Sequence, residues 1–320
     1  MWILFNNVGI GNCNWYKNCN DDLGVIVINF GDLHCDTITK IFESESNIYE
    51  NFAQVDIKKL SIYDEVIQFF AIWLKQKYLD HPFENTKMFI KYYDEQIKIY
   101  KEYFPQMKFF LAIEGGEALE NNLANLEKFY QMGAVLLTLT WNNENDLAGG
   151  ANSSCGLKKF GFEVVEHMNQ LNMIVDVSHA SKKTFWDVYK FSSKPFIASH
   201  SNCQKICEHV RNLDDDQILA IKEGNGLIGL NLYTPFIKKA SSINLHDLNE
   251  HVEHLLNLIG SDNICWGCDF DGADDYPLGI KNVVDMKKVY NLFEKLYDKD
   301  ITDKIFYGNL KKFLCRNQIL

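Results

Sequence analysis

The stretch Val25-Ile26-Val27-Ile28-Asn29-Phe30-Gly31-Asp32-Leu33-His34-Cys35-Asp36-Thr37 decides how the rest of the chain is read. Val25 to Phe30 is a strand-like apolar run, and it ends on a His-x-Asp pair. Side chains alternate faces along an extended segment, so His34 and Asp36 project from one side and can grip one cation. The same design recurs downstream. Apolar runs end in Glu114 (Phe109-Phe110-Leu111-Ala112-Ile113-Glu114), His179 (Ile174-Val175-Asp176-Val177-Ser178-His179) and His200 (Phe196-Ile197-Ala198-Ser199-His200). Five hard or borderline ligands at strand C-termini suit two divalent ions that share a carboxylate.

Strands are expected at 25–34, 66–73, 108–114, 134–141, 173–178, 195–200, 227–233 and 263–269. Amphipathic stretches of helical period alternate with them, at about 86–104, 117–131, 157–171, 181–193, 214–224, 244–260, 283–298 and 302–315. Ser181 with Thr184, and Asp214, are the expected helix caps. Eight βα units predict an α/β fold of the (β/α)8 TIM-barrel type, as one domain over 25–320. Residues 1–24, rich in Asn, read as an N-terminal extension of unknown order. The run Gly149 to Gly156 reads as an active-site loop after the fourth strand.

The chain has 320 residues, 47% hydrophobic and 23% charged, with a formal net charge of −11. Such an acid balance argues against nucleic acid as a partner. No apolar stretch reaches the roughly 18 to 20 residues of a membrane span, and no basic start or lipid-anchor tail is seen, so no membrane partner is expected. Nine cysteines without a regular framework fit free thiols in the cytoplasm. Cys265 and Cys268 form a Cys-x-x-Cys spacing inside an apolar strand and read as structural.

In a parallel barrel every strand C-terminus meets one rim, so His34, Asp36, Glu114, His179 and His200 would line one pocket. Two dications against two carboxylates and a bridging hydroxide leave one positive charge to polarise a carbonyl. Glu114 is the natural bridge, with His34 and Asp36 on one ion and His179 and His200 on the other. Asp269, at the end of the eighth strand, is placed to shuttle a proton from the hydroxide to a leaving amine. Asp271, nearer Gly272, reads as a loop tie. Arg211 at a helix start is ordinarily a surface salt bridge, yet on this rim a guanidinium can bind a carboxylate through two parallel hydrogen bonds. His251 and His254, one turn apart, read as packing and surface residues of an outer helix.

In order along the chain, Asp32-Leu33-His34-Cys35-Asp36-Thr37, Ile113-Glu114-Gly115-Gly116, Leu137-Thr138-Leu139-Thr140-Trp141-Asn142, Asp176-Val177-Ser178-His179, Ser199-His200-Ser201, Arg211-Asn212-Leu213-Asp214-Asp215 and Gly267-Cys268-Asp269-Phe270-Asp271-Gly272 resemble the membrane (renal) dipeptidase family of zinc peptidases. Those enzymes are amidohydrolase-like TIM barrels. The resemblance implies a zinc-dependent dipeptidase with two Zn2+ per chain, the ligand division given above, Arg211 receiving the substrate's carboxylate, and Asp269 handling the proton near the free amine. Animal members carry a substrate-contacting histidine after Leu-Thr-Leu-Thr, where this chain has Trp141. An indole packs or donates one hydrogen bond but binds no proton. Homodimerisation is left open. The competing expectations are another binuclear hydrolase acting on a lactone, cyclic amide or phosphoester, and a non-catalytic peptide- or metal-binding barrel.

Overall fold

The computed structural model describes residues 27–320. The expected extension 1–24 therefore lies outside the described residues. Seven parallel strands form one sheet: β1 (Phe30–Asp32), β2 (Val66–Trp73), β3 (Met107–Glu114), β4 (Ala134–Thr138), β5 (Ile174–Asp176), β6 (Ile228–Leu230) and β7 (Ile264–Trp266). Their order is β5-β4-β3-β2-β1-β7-β6, so β5 and β6 are the two ends of the sheet.

The eighth position, expected as a strand over 195–200, is filled by isolated bridges that close the ring. Ile197 N–H donates to Val175 O at 3.0 Å, and Val177 N–H donates back to Ile197 O at 2.8 Å. On the other side Ala198 N–H donates to Leu227 O at 3.0 Å and Gly229 N–H donates to Ala198 O at 2.8 Å. Pro195 opens the segment without a donor, which keeps the ladder short. Two glycines make the closure fit. A β-carbon on Gly229 or Gly267 would stand 1.8 or 1.7 Å from Ser199 O, so only hydrogen is tolerated where the segment crosses.

The alternation along β2 sorts the core into two parts. Ile67, Phe69 and Ala71 point into the barrel, whereas Val66, Phe70 and Ile72 face the helical layer. Inside, Leu310, Phe313 and Leu314 of the last helix (Asn309–Arg316) join Leu33, Ile67 and Phe69, so the barrel is a packed core and not a pore. Capping matches the expectation. Ser181 accepts from Thr184 N–H ahead of the helix Lys182–Phe191, and Asp214 with Gln217 forms a reciprocal capping box on Asp215–Glu223. A helix not foreseen, Thr37–Glu43, starts directly after Asp36. No helix among the described residues is long and apolar enough to cross a membrane.

Candidate metal centre

The five expected ligands converge. His34 Nε2 lies 3.3 Å from Asp36 Oδ2 and 3.6 Å from Glu114 Oε2. Glu114 Oε1 lies 2.9 Å from His179 Nε2 and 3.6 Å from His200 Nε2. The two oxygens of Glu114 thus face two different halves of the site. Asp269 Oδ1 stands 3.9 Å from His34 Nε2, while its Oδ2 accepts from Asn231 Nδ2 at 3.1 Å.

These positions follow from how each strand ends. Glu114 is the last residue of β3. The extended run expected through His34 stops earlier: the chain bends at Leu33, and Asp36, at φ −100° and ψ 20°, already caps the helix Thr37–Glu43, with the segment held by the Asp36 N–H to Phe270 O bond at 2.9 Å and the Ala71 N–H to Cys35 O bond at 2.8 Å. His179, Asp269 and Asp271 have positive φ of 66°, 60° and 69°. Left-handed backbone at a residue other than glycine is strained, and here it turns side chains back over the rim.

Outer partners orient the imidazoles. His179 Nδ1–H donates to Asn142 Oδ1 at 2.8 Å, which leaves Nε2 bare toward the site. Ser199 Oγ donates to Asp176 Oδ2 at 2.6 Å and so accepts from His200 Nδ1–H at 2.7 Å. Asp176 also accepts from Thr138 Oγ1 at 2.5 Å, Ser178 N–H at 3.0 Å and Ser199 N–H at 2.8 Å. The buried Asp32 accepts from Cys268 N–H, Gln68 Nε2 and His34 N–H, tying β1 to β2 and to the segment that follows β7. Neither Asp32 nor Asp176 is among the expected site residues, although each is a carboxylate in an otherwise apolar strand, which is the signal that marks it.

The charge pattern calls for a cation. Burial pulls the His34 imidazole down, but Glu114 and Asp36 outweigh it and hold it well above the usual range. Burial alone would raise Glu114, yet His34 and His179 keep it well below the carboxylate range. Burial lowers His179 to about 4 and carries His200 well down, so both stay neutral donors. Asp269 is pushed up by burial to about 7. Both ring nitrogens of His34 and Asp36 Oδ1 are buried without hydrogen-bond partners among the described residues. Bare imidazole nitrogens, two carboxylates and orphaned polar atoms in one place fit divalent metal ions.

The remaining expected residues are at the same rim. Arg211 is buried, not a surface salt bridge; its Nη2 donates to His200 O at 3.4 Å, its Nε has no partner among the described residues, and its Cζ lies 5.4 Å from the Phe236 ring centre. The Trp141 ring stacks on His179 at 6.2 Å between centres and lies tilted by 43° against Trp73 at 5.2 Å. Asp271 accepts from Thr37 Oγ1 at 2.6 Å and Gln54 N–H at 2.7 Å, the expected loop tie. Ala151 and Ser153 of the Gly149 to Gly156 loop border the cavity that holds Arg211. Cys265 and Cys268 are buried free thiols.

The membrane dipeptidase model, peptidase family M19, matches residues 26–318. The chain belongs to this family. An uncharacterized dipeptidase of Schizosaccharomyces pombe is 34% identical over 197 residues, 59% of this chain and 47% of its own length. Dipeptidase 3 of Mus musculus is 30% identical over 214 residues, 64% of this chain and 43% of its own. The chain thus spans about half the length of these two relatives. A solved dipeptidase of family M19 superposes with a TM-score of 0.85 at 22% identity, over 92% of this chain and 100% of that one, which speaks for a shared fold. The barrel and the metal-dependent dipeptidase family expected from the motifs are therefore borne out.

Proposed function

We propose that the protein hydrolyses dipeptides with two zinc ions, one held by His34 and Asp36, the other by His179 and His200, and Glu114 shared between them. The observation that carries this reading is Glu114, whose two oxygens address the two halves of the site. Three imidazoles with two carboxylates and no thiolate suit zinc. Bound there, the ions would supply Lewis acidity at the scissile carbonyl and acidify water to a pKa of about 7.

The protein's own groups do the rest. Asp269, held through Oδ2 by Asn231, turns Oδ1 to the centre, where it takes a proton from the attacking water and returns it to the leaving amine. Arg211 stays cationic, since burial lowers it only to about 10, and its free Nε can pair with the substrate's carboxylate. Asp36, Asp269 and Asp274 line the central cavity of about 390 Å3 and attract the free amine. A dipeptide alone brings both charged ends within reach of one peptide bond. The seven described cysteines, all free, suit the reducing cytoplasm, a location that cell fractionation tests.

The deciding experiment combines metal analysis with hydrolysis of L,L- and L,D-dipeptides by zinc-reconstituted protein. Two zinc ions per chain and hydrolysis abolished by chelation are expected. Full loading without hydrolysis across the panel would sink the dipeptidase reading and favour another substrate or a silent barrel.

A further inference from the structure

Beside the central cavity lies another of about 260 Å3 that no step above uses. The two share Trp73, Glu114 and Trp141. The Arg211 cavity instead meets the central one at His179. A dipeptide with its carboxylate at Arg211 and its peptide bond over Glu114 therefore turns its N-terminal residue toward the two tryptophans.

The walls of this cavity are Trp73, Trp141, Leu74 and Leu79, with Glu117 as the carboxylate not engaged in the metal centre. Among the described residues no lysine or arginine lines it. The charged groups acting on Glu117 are two further carboxylates, Glu114 and Asp146. Its place is built into the turn: Glu117 Oε2 lies 2.5 Å from where a β-carbon on Gly115 would stand, so the glycine, at φ 100°, admits the carboxylate. An apolar side chain filling this cavity would leave Glu117 facing hydrocarbon, which is unfavourable. A long side chain ending in a cation satisfies both surfaces, with its methylene stem on the indoles and its head at the carboxylate and the ring faces.

We propose that the cavity formed by Trp73, Trp141 and Glu117 receives the side chain of the substrate's N-terminal residue and selects lysine or arginine there. The inference rests on the dipeptidase reading.

The test uses zinc-loaded protein and the pair Lys-Ala and norleucine-Ala, equal in stem length and different in charge. The expected kcat/KM ratio is about tenfold or more in favour of Lys-Ala. In Glu117→Gln that ratio should collapse toward one. For the reversed pair, Ala-Lys and Ala-norleucine, no such preference is expected. Equal rates on Lys-Ala and norleucine-Ala in the unaltered protein overturn the inference without need of a variant, as does a larger kcat/KM for Phe-Ala or a charge preference confined to Ala-Lys. In these cases dipeptide hydrolysis itself stands. Absence of hydrolysis on every dipeptide, Ala-Ala included, removes the underlying reading and the inference with it.

Discussion

The Nε2 atoms of His179 and His200 stand 2.8 Å apart, each on a ring whose Nδ1 is already committed to an outer partner. Two lone pairs at that distance repel unless something positive lies between or beside them. Glu114 Oε1, 2.9 Å from one of them, adds negative charge to the same point. A dication resolves the conflict at once, and the hydrogen-bond network behind the rings holds them ready for it.

That network gives the first prediction. Replacing Ser199 by Ala removes the acceptor of His200 Nδ1–H and one donor to Asp176, without touching a ligand. Zinc affinity should fall about 10- to 100-fold. Competition against a chromogenic chelator reads it directly, and kcat at saturating zinc should change much less than affinity. An unaltered affinity would mean that the serine does not orient the ring.

Asp269→Asn keeps the size and the Asn231 neighbour of the side chain but removes its basicity. A loss of kcat of about 10²- to 10⁴-fold is expected, with two zinc ions per chain retained by elemental analysis. Near-normal turnover removes Asp269 from proton transfer.

For Arg211→Met, KM for Ala-Ala should rise about 10- to 100-fold, the scale of a lost charge-assisted pair. The same substitution should matter little for dipeptide amides, which lack the carboxylate. A KM increase equal on both substrates would point to a structural role at His200 O instead.

The stability of the fold should depend on pH through His251, which is not one of the five ligands. Its Nδ1 accepts from Cys203 N–H at 3.1 Å, so Nε2–H donates to Ile237 O at 2.9 Å and the ring is neutral. Burial lowers it from 6.5 to about 4, with Glu250 and His254 the titratable groups nearby. The folded value lies below the unfolded one, so this stabilisation is complete above about pH 6.5 and is lost as pH falls toward 4. The total is about 3 kcal/mol. Urea unfolding at pH 7 and pH 4.5 should show a larger loss in the unaltered protein than in His251→Gln, and parallel losses would contradict the assignment.

Much was legible before any contact was known, because burial periodicity and strand-end chemistry are local. Apolar runs ending in His34, Glu114, His179 and His200 pointed to a parallel barrel with a candidate metal rim, since a parallel barrel gathers its strand ends at one mouth. The ordered motifs led to the family for the same reason. Ser181, Asp214 and Asp271 were readable too, as caps and turns depend on near neighbours.

Relations across strands were decided by the tertiary structure alone. Which oxygen of Glu114 meets which histidine depends on the registers that run from β3 through β4 and β5 to the closing segment after Pro195, and on the room that Gly229 and Gly267 leave for Ser199 O. The burial of Arg211, the pairing of Trp141 with Trp73, and the hold of Asp176 on Ser199 join residues from separate strand ends and loops. No periodicity encodes such pairings, because they arise only when curvature closes the sheet and sets those ends a few ångströms apart.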